Sequence, residues 1–272
     1  MSASSVPAAL DMTRDRRIPL GVLRDTAAIA RRNLIAYLRI PQLLVFSTIQ
    51  PVVFVLMFRY VFGGAITGLP PGVSYVDYLM PGIFVQTVVF GAIATAIGLA
   101  TDMKSGLMER FHALPMARSA VLTGRTAADF SRNVFVVILM MVVGFLVGWT
   151  IGTNVFGLIA CALLVMLFGY AMSWIFATVG LAVGDPETAQ AAAFPVLAPL
   201  VFASSAFVPT SSMPGWLQVF ANHQPVTATV NAARALTIGG PTATYVWEAL
   251  AWDVGILVVF VTLSVRLYRR TD

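Results

Sequence analysis

Charge is scarce in this chain. Its 272 residues include only 17 basic and 12 acidic side chains, 11% in all, where a soluble domain carries about a quarter. With 58% hydrophobic residues and a mean hydropathy of +0.85, the chain cannot clothe a water-facing surface. A soluble enzyme and a DNA-binding domain are excluded, and a polytopic membrane protein is left. Lysine is nearly absent. The one lysine, Lys104, follows Met103 and not glycine, so no Gly-Lys-Ser/Thr phosphate loop can be present. The one cysteine, Cys161, lies in an apolar run, which leaves neither a disulfide framework nor a thiolate metal cluster. Gly72-Val73-Ser74 lacks the second glycine of a hydrolase elbow. No catalytic constellation is visible.

Long apolar runs are what the chain does have. At about 20 residues per membrane crossing, six candidates emerge: 43–62, 79–100, 134–152, 157–183, 191–208 and 247–265. The fourth is long enough to tilt. The fifth is short and carries Pro195 and Pro199, and it is expected to bend or break. The basic residues between these runs set the orientation. Seven arginines precede the first run, five basic residues lie in 101–133, and Arg266, Arg269 and Arg270 follow the last, placing 15 of the 17 on one side. Only Arg59 and Arg234 fall on the other. Both termini are therefore expected in the cytoplasm, and the net charge of +5 reads as membrane orientation, with no nucleic acid implied. His112 and His223 then lie on opposite faces and cannot share a metal. Arginine far outnumbers lysine, as in a GC-rich bacterial genome. A stretch of some forty residues rich in arginine precedes the first run, too long and too charged for a cleaved signal peptide, so the first span is expected to be kept.

The parts outside the spans are small. Residues 1–19 read as a flexible cytoplasmic tail, and 20–272 as a single transmembrane domain. In 20–40, apolar residues alternate with arginines, and Pro41 closes the segment. An interfacial amphipathic helix and a simple positive flank fit it equally. Residues 209–245 carry almost no charge and are punctuated by Pro209, Pro214, Pro225 and Gly239-Gly240-Pro241. Two short helices re-entering the outer leaflet fit best.

Polar groups within the spans are mostly uncharged: Ser47, Thr48, Gln50, Gln86, Thr87, Thr95, Ser173, Ser204 and Ser205. Such groups either join helices or line a path, and the residues alone favour joining. Ion coupling would call for carboxylates deep in the membrane, and none is evident in the first five spans. Arg59, Glu248 and Asp253 lie towards the outer ends of theirs, where snorkelling or mutual pairing is preferred over a proton relay.

The loop 101–133 is the most informative segment. Gly106 and Pro115 bracket a short helix, 107–114, with charges Glu109 and Arg110 and apolar residues Met108, Phe111 and Leu114. Two turns with an apolar face are marginal alone in water. Either a partner protein or the lipid surface covers that face.

Three stretches carry a family resemblance: Arg32-Asn33-Leu34 ahead of the first span; Glu109-Arg110-Phe111-His112-Ala113-Leu114-Pro115-Met116-Ala117-Arg118; and Met213-Pro214-Gly215-Trp216-Leu217 with Asn222-His223-Gln224-Pro225 and Arg234-Ala235-Leu236. From about residue 25 onward the chain resembles the permeases of ABC-2 type ATP-binding-cassette transporters, and within them the daunorubicin-resistance drug exporters. The resemblance implies an all-α fold with six transmembrane helices, an N-terminal interfacial helix and an outer re-entrant hairpin. It implies no cofactor on this chain, with ATP and Mg on two copies of a separate ABC ATPase subunit. A second permease, identical or a sister chain, would complete the transporter. Met108, Glu109, Arg110, Phe111, Leu114, Pro115 and Arg118 would couple to the ATPase. Gln50, Phe54, Gln86, Val89, Phe202 and Ser205 would face a translocation path lined by the first, second and fifth spans.

The resulting expectation is a non-catalytic membrane subunit in the bacterial cytoplasmic membrane, surrounded by lipid, moving a small amphipathic drug-like compound outward. A lipid or glycolipid cargo is the nearest alternative. An ion-coupled secondary transporter and a scaffold without transport are the rivals from other classes.

Overall fold

A computed structural model describes residues 41–66, 68–106 and 118–270, and side chains within 48–66, 68–106 and 124–268. The expected interfacial helix at 20–40 and the loop helix at 107–114 lie outside the described residues. Among those described there are helices and no strands. In chain order they are α1 (Pro41–Leu56), which runs on into a π-helical segment Met57–Phe62, α2 (Tyr75–Lys104), α3 (Arg118–Leu146), α4 (Val155–Val183), α5 (Pro186–Phe202), α6 (Gly215–Asn222), α7 (Pro225–Thr237) and α8 (Thr242–Arg270).

Four of them, within α2, α3, α4 and α8, are long and apolar enough to cross a membrane. The described part of the first expected span is a shorter apolar helix. The fifth expected span coincides with α5 only in part: the 17-residue helix passes through Pro195 and Pro199 without breaking and ends at Phe202. The third differs most, because α3 starts at Arg118, well before residue 134. Arginines counted as loop charges stand on a helix face that packs against α2, so charge was a poor marker of the helix boundary.

Helix α2 is the axis of the bundle. Buried residues make up 72% of its most apolar stretch, against 17% in α8. It packs on α4, α5, α3 and α7. Its start is set by Ser74, whose Oγ accepts the Asp77 N–H at 3.2 Å and donates to the Asp77 carboxylate at 2.6 Å. The same carboxylate accepts the backbone N–H and hydroxyl of Thr150, tying the far end of α3 to α2. The Ser74–Asp77 bond satisfies a donor that the α2 N-terminus leaves open. At Gly180 of α4, an added Cβ would collide with the Ala96 carbonyl of α2. At this point α2 and α4 therefore meet backbone to backbone.

The pair α6 and α7 occupies the segment where two short helices were expected, and the two differ in environment. Trp216, Val219 and Phe220 of α6 are exposed, whereas most of α7 is buried against α2, α4 and α8. The reason is Arg234. Its Nε donates to the Tyr78 carbonyl at 2.9 Å, Nη1 to Ser205 Oγ at 3.2 Å, and Nη2 to the carbonyls of Ser205 and Ala206. The guanidinium also lies 3.4 Å from the Tyr78 ring centroid. Gln224 Nε2 donates to the carbonyls of Leu200 and Ala203 at 2.9 Å each. Together these side chains satisfy carbonyls freed where α5 ends and the chain turns through 203–208. The one basic residue of 209–245, Arg234, is thus a structural clamp. Asp253, expected to snorkel or pair, is instead fully buried on α8, and neither carboxylate oxygen has a hydrogen-bond partner.

Replacing Arg234 by Ala should lower stability by roughly 3 kcal/mol or more, since several buried carbonyls lose charged donors. Arg234→Lys should recover only part, for lack of the planar fork. Thermal unfolding of the detergent-solubilised protein checks both, and melting unchanged in Arg234→Ala would refute the clamp.

Candidate translocation cleft

Helix α3 carries Arg125, Asp129, Arg132 and Asn133 at a spacing of four, three and one residues, which places them on one face. That face meets α2 along Gly91, Ala94, Thr95, Gly98 and Asp102. Thr95 Oγ1 donates to the fully buried Asp129 carboxylate at 2.6 Å. Arg125 lies 3.8 Å from the Asp129 carboxylate and 3.7 Å from that of Asp102, and its Nη2 donates to the Ala94 carbonyl at 3.3 Å. One turn further, Arg132 Nη2 donates to the Gly91 carbonyl and, at 3.2 Å, to Asn133 Oδ1. Glycine is needed at the crossing. A Cβ on Gly98 would overlap the Arg125 guanidinium, and one on Gly91 would stand 2.8 Å from Arg132 Nη2. Two cations enter an apolar helix pair because carboxylates and helix carbonyls receive them there.

Beyond this seam the helices part. Gln50 and Pro51 of α1, Gln86, Thr87, Phe90 and Gly91 of α2, and Arg132, Asn133 and Val136 of α3 line a cleft of about 100 Å³. Gln86 is 1% exposed, and its Oε1 has no hydrogen-bond partner. On the other side of Phe90 a wider groove of about 510 Å³ runs between α2 and α5, lined by Phe90, Ile93, Glu187, Gln190, Ala191 and Phe194. One ring therefore walls both a polar cleft and a largely apolar groove.

The residues expected to line a path fall into separate places. Gln50 and Gln86 share the cleft. Phe54 and Phe202 join Phe58 and Phe207 in an aromatic cluster, with Phe58 and Phe207 stacked at 4.5 Å and Phe54 and Phe202 6.4 Å apart. Val89 is fully buried in the main core. Ser205 is buried, accepting from Arg234 and donating to Asn231 Oδ1 at 3.0 Å. Of the coupling residues, Met108, Glu109, Arg110, Phe111, Leu114 and Pro115 lie outside the described residues, and Arg118 enters only as the first residue of α3. Arg132, Asn133 and the buried Asp129 were missed. The signal was present as a helical stripe of charge on 125–133 facing glycines seven apart on α2.

At the end of α2, Lys104 donates to Asp185 at 2.7 Å, joining that helix to the start of α5 across an exposed gap. Asp185 also caps α5 by accepting the N–H and hydroxyl of Thr188. The Lys104 hydrogen bond, then those from Thr188, hold the Asp185 carboxyl down at about 2. Among the described residues no group of three or more His, Cys, Asp or Glu side chains is arranged to hold a metal.

Two outcomes are expected. Asp129→Leu should destabilise the protein by roughly 3–5 kcal/mol, since Arg125 loses a buried partner; a melt matching the unaltered protein would refute the seam. The folded carboxyl of Asp185 lies below its unfolded value of about 3.9, so its contribution is complete above that value and is lost as pH falls through about 2. An NMR titration should find that midpoint, and Lys104→Met should raise it towards the ordinary range.

The ABC-2 type transporter family model matches residues 24–238. The chain is 33% identical over 241 residues to the daunorubicin resistance ABC transporter permease protein DrrB1 of Streptomyces coeruleorubidus, covering 89% of this chain and 84% of that protein. It is 28% identical over 194 residues to the probable doxorubicin resistance ABC transporter permease protein DrrC of Mycobacterium tuberculosis, covering 71% and 70%. The putative transport permease ycf38 of Porphyra purpurea is 25% identical over 219 residues, 78% of this chain and 74% of that one. With four long apolar helices and a family match over most of its length, this chain belongs to the ABC-2 type transporter family, as a multi-pass membrane permease.

Proposed function

We propose that the chain is the membrane subunit of an ATP-driven exporter that moves a small amphipathic compound outward across the cytoplasmic membrane. The observation that carries this reading is the shared wall at Phe90, with a polar cleft on one side and a drug-sized groove on the other. The groove of about 510 Å³ is open to the surface and has room for an apolar body, and the cleft of about 100 Å³ suits a single functional group. A compound with an apolar body and one polar edge fills both.

ATP and Mg belong to a separate ATPase subunit, present in two copies, and a second permease completes the path. Six spans with both termini cytoplasmic are supported by the six apolar runs and by the basic clusters before the first run and after the last. The loop helix 107–114 docks on the ATPase through Met108, Phe111 and Leu114, with Glu109, Arg110 and Arg118 pairing across the contact. ATPase closure pulls this loop, and α3, which begins just after it at Arg118, transmits the shift through the Arg125–Asp129 seam to the cleft. A lipid or glycolipid would use the same cleft for its headgroup and the exposed Ile49, Val53 and Leu56 of α1 for its chains.

The test is co-purification and transport with the ATPase subunit. Phe111→Ala and Glu109→Arg should each cut ATPase association by about tenfold, the equivalent of 1.4 kcal/mol, with membrane abundance unchanged. ATP-dependent export of an amphipathic dye from the cytoplasmic side should fall in parallel. Full association and export in both variants, or export driven by a proton gradient without ATP, would contradict the proposal.

A further inference from the structure

The wider groove carries a charge at one end. Helix α5 lines it with Glu187, Gln190, Ala191 and Phe194, whose spacing sets them on one helix face. Helix α2 supplies Phe90 and Ile93 from the other side. Glu187 is the one charged residue in this lining. It is exposed, as is Gln190, and the Phe194 ring is 56% exposed, so a ligand has access to all three.

Neighbouring ions leave this carboxylate open. Asp185 caps α5 through Thr188 and accepts from Lys104 at 2.7 Å. Glu187 only adds to the electrostatic field at Lys104, and among the described residues none holds it by a hydrogen bond or ion pair. Two carboxylates thus stand beside one ammonium, and the second lines the groove. From Glu187 to Phe194 is seven residues, about 10 Å of helix rise. The groove therefore offers negative charge at one end and aromatic walls further along.

We infer that this groove binds an amphiphile with a single positive charge at two points, the Glu187 carboxylate taking an ammonium and Phe90 and Phe194 flanking the apolar body. That the occupant is cargo rests on the exporter reading, whereas the binding chemistry is testable without it. A space of about 510 Å³ has room for the body and for the chain that joins it to the charge. In the orientation proposed above, the Glu187 end faces the cytoplasm. An amphiphile arriving from the inner leaflet keeps its ammonium among the headgroups while its body lies between α2 and α5, as a snorkelling lysine does. The competing occupant is a lipid chain, which fills the apolar stretch and makes no use of Glu187.

Three naphthalene probes separate these outcomes: 6-(2-naphthyl)hexylammonium, the matching hexanol, and 2-(2-naphthyl)ethylammonium, whose chain stops short of Glu187 when its ring lies at Phe194. Binding to the full chain in phosphatidylcholine nanodiscs is measured by equilibrium dialysis, with uptake by empty nanodiscs subtracted. The hexylammonium should bind about fivefold more tightly than the hexanol, the upper end of what an exposed ion pair gives. Glu187→Gln keeps the shape and removes the charge. It should abolish that preference while leaving the hexanol within about twofold and the ethylammonium within about twofold. Phe194→Ala should weaken both long probes alike. Equal binding of hexylammonium and hexanol to the unaltered protein would overturn the inference, as would a preference that survives Glu187→Gln. Equal dependence of the short and long ammonium probes on Glu187 would overturn it too, as would no binding above empty nanodiscs, with lipid alone in the groove. The unaltered-protein comparison decides the matter even if a variant fails to fold. ATP-dependent export of the hexylammonium probe, measured with the ATPase subunit present, keeps the two proposals apart. Export without the ammonium preference sinks the two-point site alone, and the preference without export sinks the exporter reading alone.

Discussion

Every buried polar group in an apolar helix bundle must find its partner within the protein, because neither lipid nor bulk water offers one. This constraint shapes the chain around α2. Where α3 crosses, glycines on α2 open room for Arg125 and Arg132, and Asp129, Asp102 and backbone carbonyls receive them. Where α5 ends, its freed carbonyls are met by Arg234 and Gln224 from the hairpin. The same rule draws α7 into the core, since an arginine with that many acceptors cannot remain in a surface loop.

The rule also marks the exceptions. Gln86 breaks it beside a cleft, and Asp253 breaks it within α8. Unmet groups of this kind are costly in an apolar bundle; among the described residues Asn133 Nδ2, Gln224 Oε1 and the Trp149 and Trp174 indole N–H groups share the condition, and Gln86 does so in the wall of a cleft. The cleft lies directly beyond the rigid seam, so a movement of α3 along its axis changes the distance between Arg132 and α2. In the proposed exporter, that is how an event at the ATPase reaches the cargo.

Much of the architecture was legible from composition. Scarce charge and long apolar runs announced helices in a membrane, and 157–183 matched α4 to within two residues at its start. The two short helices in 209–245 were legible from their prolines and glycines. What failed was the use of charge as a sign of exposure. Arg125 and Arg132 read as loop residues and Arg234 as an outer loop charge, because hydropathy treats an arginine alike whether water or a row of carbonyls surrounds it. Of the candidate path residues, Gln50 and Gln86 line the same cleft, whereas Ser205 accepts from Arg234 and Val89 lies in the core. Asn133 and Arg132 escaped notice because their helix was thought to begin later.

The account centres on cargo seated across Phe90, with its polar edge in the cleft and its body in the groove. Photo-crosslinking with a diazirine-bearing 2-naphthamide, followed by peptide mapping, tests this most directly. Adducts are predicted on α2 between Gln86 and Ile93, on α3 near Val136 and on α5 near Phe194, the walls of the two spaces. Adducts confined to α6 or α8, away from Phe90, would contradict it.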